Sequence, residues 1–310
     1  MKKFVLVVLC VLAAAQMRAV APRTMIYDIK ESDTLRLDFY EVPQSDAPCV
    51  VFMFGGGFFQ GNRYREDYAR FFEYLNSCGY AVASIDYRLG LAKLRSMTSK
   101  PSVGELVTML TNSVDMAVSD LYSATRYLLA NHAELGIAPS KIITCGSSAG
   151  AISVLTAEWR RSEGRAELPE EFAYAGVISF AGAVYSSSGA PRWNVEKAAP
   201  VMLYHGDADS NVPYRKLVVG KVGMWGSDYI YDKFLRKSDK PYYMCVYLDV
   251  DHVVAGAPYL QHHEQIDWFI DKIALGGREF QVYDQMRDRA YPAKQPPRTI
   301  FDYIKANFGQ

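Results

Sequence analysis

Histidine is scarce in this chain, and neither sign of charge is in surplus. There are five histidines, His132, His205, His252, His262 and His263, and 34 Lys and Arg residues balance 34 Asp and Glu. A formal net charge of 0 supplies no basic field to draw in nucleic acid or an anionic membrane surface. Long apolar runs are also missing. The N-terminal run Phe4 to Leu12 is too short to cross a bilayer, so no membrane span is expected once it is removed. The cysteines lack metal-ligand spacing. Cys49, Cys78, Cys145 and Cys245 sit in or beside apolar segments, which predicts buried free thiols and no disulfide framework. Internal repeats, low-complexity tracts and linkers are absent as well. A chain of 310 residues, half of them hydrophobic, can bury a large core, and residues 20–310 read as one domain.

What is present begins with a targeting segment. Lys2 and Lys3 precede the apolar run, and Ala13-Ala14-Ala15 follow it. That is the layout of a secretory signal peptide, here residues 1–19, and it predicts a secreted or periplasmic protein. The rest is organised around Lys141-Ile142-Ile143-Thr144-Cys145-Gly146-Ser147-Ser148-Ala149-Gly150, an apolar strand entering a Gly-x-Ser-x-Gly turn, with helical spacing from Ala151 to Trp159. Strand, tight turn, helix is the context that lifts a serine to the carboxyl edge of a sheet. The motif alone also arises as an ordinary turn, so its weight rests on the rest of the chain.

Buried strands are expected at Cys49–Phe54, Tyr80–Tyr87, Ala175–Phe180, Pro200–Tyr204 and Pro241–Leu248, with an alternating antiparallel pair at Met25–Ile29 and Thr34–Tyr40. Helices are expected at Tyr64–Cys78, Ser113–Leu135 and Tyr259–Ile273. The stretch 89–112 is the first candidate for an insertion or a loop over the site. Tyr185–Ala190 reads as a Ser/Gly-rich loop, and 276–310 as a C-terminal extension with no assignable role. Strands alternating with helices predict an α/β class: a mostly parallel central sheet of about eight strands with helices on both faces.

Three further features converge with Ser148. Gly55-Gly56-Gly57-Phe58 follows a buried strand, where glycines let backbone N–H groups approach a developing oxyanion. Tyr204 to Tyr214 is a turn rich in Asp and Asn directly after a strand. It offers Asp209, with Asp207 as alternative, as the acid that orients a catalytic base. His252 follows the last strand on a loop, beside Asp249 and Asp251. His132, His262 and His263 fall on expected helices, and His205 at a strand end reads as structural. The order Ser148, Asp209, His252, each just after a strand, puts all three at one edge of the sheet.

On Phe54 to Phe58, Asp86-Tyr87-Arg88, Lys141 to Gly150 and His205 to Tyr214, the sequence resembles the α/β-hydrolase superfamily. Within it, the chain looks like secreted bacterial carboxylesterases of the feruloyl and acetyl-xylan esterase type. The resemblance implies oxyanion donors from the N–H groups of Gly56, Gly57 and Ala149, no metal, no organic cofactor, and a small-molecule or polysaccharide-linked ester as substrate. It departs at Phe54, where relatives carry His or Tyr, and at Ser147, where many carry an acid. Two other readings use the same residues. A prolyl-oligopeptidase-like peptidase shares the residue order, but the chain lacks a large propeller domain. A non-catalytic binding member of the fold is opposed by an intact Ser148, Asp209 and His252.

Overall fold

The computed structural model describes residues 21–99 and 101–308. The predicted signal peptide lies outside them. In chain order the elements are β1 (Arg23–Lys30), β2 (Asp33–Tyr40), β3 (Ala47–Met53), α1 (Glu66–Ser77), β4 (Ala81–Ile85), α2 (Val103–Ala130), α3 (His132–Leu135), β5 (Ile137–Ser147) and α4 (Ala149–Ser162). Then come β6 (Gly176–Phe180), β7 (Ala183–Ser186), β8 (Val201–Gly206), β9 (Lys216–Val219), β10 (Val222–Gly226), α5 (Ser227–Lys233), β11 (Tyr242–Tyr247), α6 (Ala257–Gln261), α7 (His263–Trp268), β12 (Gln281–Met286) and α8 (Ile300–Phe308).

Nine strands among the described residues form the central sheet, in the order β1-β2-β4-β3-β5-β6-β8-β11-β12. β1 and β2 pair antiparallel at one edge, and every pairing from β4 to β12 is parallel. The central strands β3, β4, β6, β8 and β11 are near-continuously apolar and buried. That is the pattern of strands covered on both faces. Aromatic side chains fill one layer: Phe52 of β3 meets Tyr68 and Phe72 of α1 at ring distances of 5.0 and 5.1 Å, and Tyr259 of α6 at 6.4 Å. Three of the free cysteines, Cys49, Cys145 and Cys245, are buried, while Cys78 is only partly so.

The sheet has one strand more than expected, because β12 adds itself in parallel to β11 from within the 276–310 extension. A second, three-stranded antiparallel sheet, β7-β10-β9, was not anticipated either. β7 occupies the start of the expected loop at 185–190. β9 and β10 form a hairpin whose partners Val219 and Val222 leave a two-residue turn, with Gly220 at φ 63°. Helix α2 starts ten residues before the expected Ser113, so much of the 89–112 stretch is its first turns rather than a loop. The expected helix 259–273 is divided into α6, α7 and a wider turn over Phe269–Leu275. No helix among the described residues is long and apolar enough to cross a membrane.

Candidate active site

The parallel strands all end at the same edge, and the loops leaving β3, β5, β8 and β11 gather there. A crevice outside the carboxyl ends of such strands is where this class of sheet binds ligands. Ser148 stands between β5 and α4 with φ 52° and ψ −114°, a strained conformation for a residue with a side chain. Its backbone is held by Ser148 N–H donating to Phe180 O at 2.9 Å, and by Ile152 N–H donating to Ser148 O at 2.9 Å. The flanking glycines are required by contact. A Cβ on Gly146 would lie 2.4 Å from Gly150 C, and one on Gly150 would lie 2.1 Å from Met53 O. Strand β5 can therefore turn into α4 directly against β3. Ser148 stays partly exposed while Ser147 and Ala149 are buried.

The three predicted residues meet. Ser148 Oγ is 2.8 Å from His252 Nε2, and His252 Nδ1 is 2.7 Å from Asp209 Oδ2. Asp209 is 1 % exposed, and its other oxygen accepts the N–H groups of Asn211 and Val212 at 2.8 Å each. Burial alone would push its carboxyl up. The charge of His252, its hydrogen bond and the nearby His205 ring outweigh that, and the carboxyl is held well below the usual carboxylate range. A carboxylate accepting from Nδ1 leaves Nε2 free to take a proton from the serine hydroxyl. The alternative acids are engaged elsewhere. Asp207 accepts the Asp249 N–H at 2.6 Å, Asp249 pairs with Arg287, and Asp251 caps its own turn.

The glycine loop lies beside the serine. A Cβ on Gly55 would come within 3.2 Å of Ser148 Cβ. Gly56 (φ 130°) and Gly57 (φ 63°) turn the chain, and the Gly56 carbonyl accepts from Phe59 and Gln60 N–H at 3.2 and 3.1 Å. No acceptor among the described residues takes the Gly56 or Gly57 N–H. The Ala149 N–H opens α4, where a helix has no internal partner for it. These are three donors without assigned acceptors near one serine.

Both departures from the family pattern have structural counterparts. Phe54 stacks on Tyr87 with ring centroids 4.5 Å apart, and Tyr87 Oη donates to Phe54 O at 2.9 Å. The loop is thus braced by the neighbouring tyrosine, whose phenol is raised by burial and stays a donor. Ser147 Oγ donates to Ala255 O at 2.7 Å, tying the Ser148 turn to the turn that carries His252. Sequence reasoning also missed Asp251 in this role: its Oδ1 accepts from Ser210 N–H, Ser210 Oγ and His252 N–H, all at 2.8 Å. The only signal in the sequence was its place beside the histidine. His132 lies on α3, and His262 and His263 lie at the junction of α6 and α7. Among the described residues, no group of three or more His, Cys, Asp or Glu is placed to hold a metal ion.

Comparison with known proteins gives a family match and structural neighbours. The BD-FAE family model, an esterase-type domain, matches residues 37–96, the stretch holding β3, the glycine loop and Tyr87. Comparison with curated proteins gives no significant match. Esterase 2 of Thermogutta terrifontis phosphoramylated by tabun superposes with a TM-score of 0.61 at 20 % identity, over 83 % of this chain and 96 % of that one. The native form of that thermophilic planctomycete esterase gives 0.60 at 21 %, over 82 % and 92 %. Its propionate-bound form gives 0.59 at 21 %, over 82 % and 94 %. From its sheet order, its strand–turn–helix at Ser148 and these neighbours, the chain has the α/β-hydrolase fold and resembles the esterases built on it.

Proposed function

We propose that this protein is a serine hydrolase that cleaves carboxylic esters through an acyl-enzyme intermediate. The observation that carries the reading is the unbroken hydrogen-bonded run from Ser148 Oγ through His252 to Asp209, at 2.8 and 2.7 Å. His252 takes the hydroxyl proton as Ser148 attacks the ester carbonyl. The N–H groups of Gly56, Gly57 and Ala149 hold the oxyanion. The tetrahedral intermediate collapses, and His252 gives its proton to the departing alcohol. Water, deprotonated by the same imidazole, then attacks the acyl-Ser148 ester and frees the acid. Asp209 keeps the imidazole in the tautomer that serves both steps.

The esterase 2 structures with a tabun adduct and with propionate support a small acyl group and a serine open to organophosphates. On that basis the substrate class is a short-acyl ester, and the resemblance in sequence extends it to esters linked to a polysaccharide. The signal peptide read from the first 19 residues would deliver the activity outside the cytoplasm. The test is labelling with a fluorophosphonate beside hydrolysis of a short-chain aryl ester. Wild type should take the label and Ser148→Ala should not. Loss of the nucleophile should lower kcat by about a million-fold. A folded Ser148→Ala protein with more than a trace of activity would remove the reading.

A further inference from the structure

We propose that His205 is a positioning residue whose Nε2–H closes the loop carrying Asp209 and steadies its carboxylate. The inference rests on the triad reading above and adds a residue that reading does not use. His205 is the penultimate residue of β8 and is fully buried. Its Nε2 lies 3.1 Å from Val212 O and 3.4 Å from Asp209 Oδ2, and its Nδ1 lies 2.8 Å from Ser227 Oγ at the start of α5. A carbonyl oxygen has no proton to give, so the hydrogen in the Nε2–Val212 contact belongs to Nε2. Nδ1 meets the Ser227 hydroxyl, which also reaches Gly182 O at 3.5 Å. Both ring nitrogens are engaged, and Nε2 carries a hydrogen.

The Nε2–H is aimed at the carbonyl of Val212 and lies alongside the Asp209 oxygen that serves His252. Val212 answers by donating its own N–H to the other Asp209 oxygen. The loop from 205 to 212 is therefore closed by a ring of contacts through the His205 side chain and the Asp209 carboxylate. Without the Nε2 donor, the Val212 carbonyl loses its only side-chain partner among the described residues, and one side of Asp209 Oδ2 faces no donor. The carboxylate is then held on its Oδ1 side by the Asn211 and Val212 N–H groups, while its Oδ2, which must receive Nδ1–H at one angle, keeps His252 alone.

The amide side chains separate this role from simple filling of space. Gln can place its Nε2–H near where the imidazole Nε2–H stands, while Asn reaches only to the Nδ1 level, toward Ser227. We expect His205→Gln to keep kcat for the aryl ester within about threefold. His205→Asn should lose about 10- to 100-fold in kcat with KM within twofold, the scale of one hydrogen bond to a charged group. The rate of fluorophosphonate labelling of Ser148 should fall in the same ranking. Melting curves on both variants record any loss of packing. Equal kcat in the two variants, whether near wild type or equally impaired, overturns the proposal, as does a lower melting temperature with kcat unchanged in both. Ser148→Ala is the control: if that protein hydrolyses the ester, the triad reading itself has failed. If it is inactive while His205→Asn is fully active, only the role of His205 has.

Discussion

Single residues decide the chemistry through small differences in what they face. Asp207 and Asp209 are two positions apart on one turn, but their side chains leave in different directions. Asp209 points at His252 Nδ1, while Asp207 points at the backbone of the next loop and accepts the Asp249 N–H. If Asp209 orients the base, Asp209→Asn should lower kcat by about ten-thousand-fold, because the amide favours the wrong imidazole tautomer. Asp207→Asn keeps an oxygen for the Asp249 N–H and should cost less than about tenfold. Steady-state kinetics on the two purified variants ranks them, and the reverse ranking would move the acid. The same logic explains Phe54 and Ser147. Neither resembles the polar group relatives place there. Yet Tyr87 supplies the hydroxyl that Phe54 lacks, and Ser147 uses its own hydroxyl on the Ala255 carbonyl. A departure from a motif was visible in the sequence. Its compensation was not, since it comes from residues 33 and 108 positions away in the chain.

At the scale of elements, α4 follows directly on Ser148, and its far end is anchored by charge. Glu158 is fully buried on α4 and receives Arg161 Nε and Nη2 at 2.8 Å each, plus the Ala199 N–H at 2.7 Å. Burial pushes its carboxyl up against the pull of Arg161. Removing one partner of such a pair leaves a buried charge alone, at a cost of about 3–5 kcal/mol. Arg161→Met should therefore lower the unfolding free energy by that order in a urea titration, while an unchanged midpoint would show the pair to be idle. Elements with strong local signals were legible: the buried parallel strands, α1, and the turn from β5 into α4. Those missed had weak or divided signals. The first turns of α2 contain Gly104 and the β-branched Val103, Val107, Thr108 and Thr111, all poor helix formers. The Ser102-x-x-Glu105 capping box was the available sign, and both its hydrogen bonds form. Contact with the second sheet, through Thr111 Oγ1 and Tyr185 Oη at 2.6 Å, then holds that region in place. The β9–β10 hairpin was marked by Gly220-Lys221 between valines. β12 is an edge strand half made of polar residues, and pairing with β11, not its own pattern, makes it a strand.

Across the whole molecule, the acid loop and the histidine loop are joined to each other and to the chain's end. Asp207 and Asp251 bridge the two loops, Arg287 pairs with Asp249, Lys294 N–H donates to Asp249 O, and Asn307 on α8 exchanges amide hydrogen bonds with Asn211. The 276–310 extension thus reaches back to the site. The network also makes stability depend on pH through Asp209. Its folded-state carboxyl lies below the value near 3.9 or so expected for an unfolded Asp. A depressed carboxyl binds fewer protons folded than unfolded, so its contribution is complete above the unfolded value and is lost as pH falls toward the folded one. Other groups act in the same range with mixed signs. Burial raises Glu158 and Asp86, whose ionised forms cost stability at neutral pH, and lowers His262, which resists protonation in the fold. Comparing wild type with Asp209→Asn at each pH cancels those shared terms. The stability gap between the two should begin to narrow as pH falls through about 5, approaching about 1.4 kcal/mol per pH unit below about pH 3. Urea titrations at a series of pH values between about 2 and 6 measure that gap. Parallel curves across the range would mean that Asp209 gains nothing from its partners on folding, and a gap that widens on acidification would reverse the sign assigned to it here.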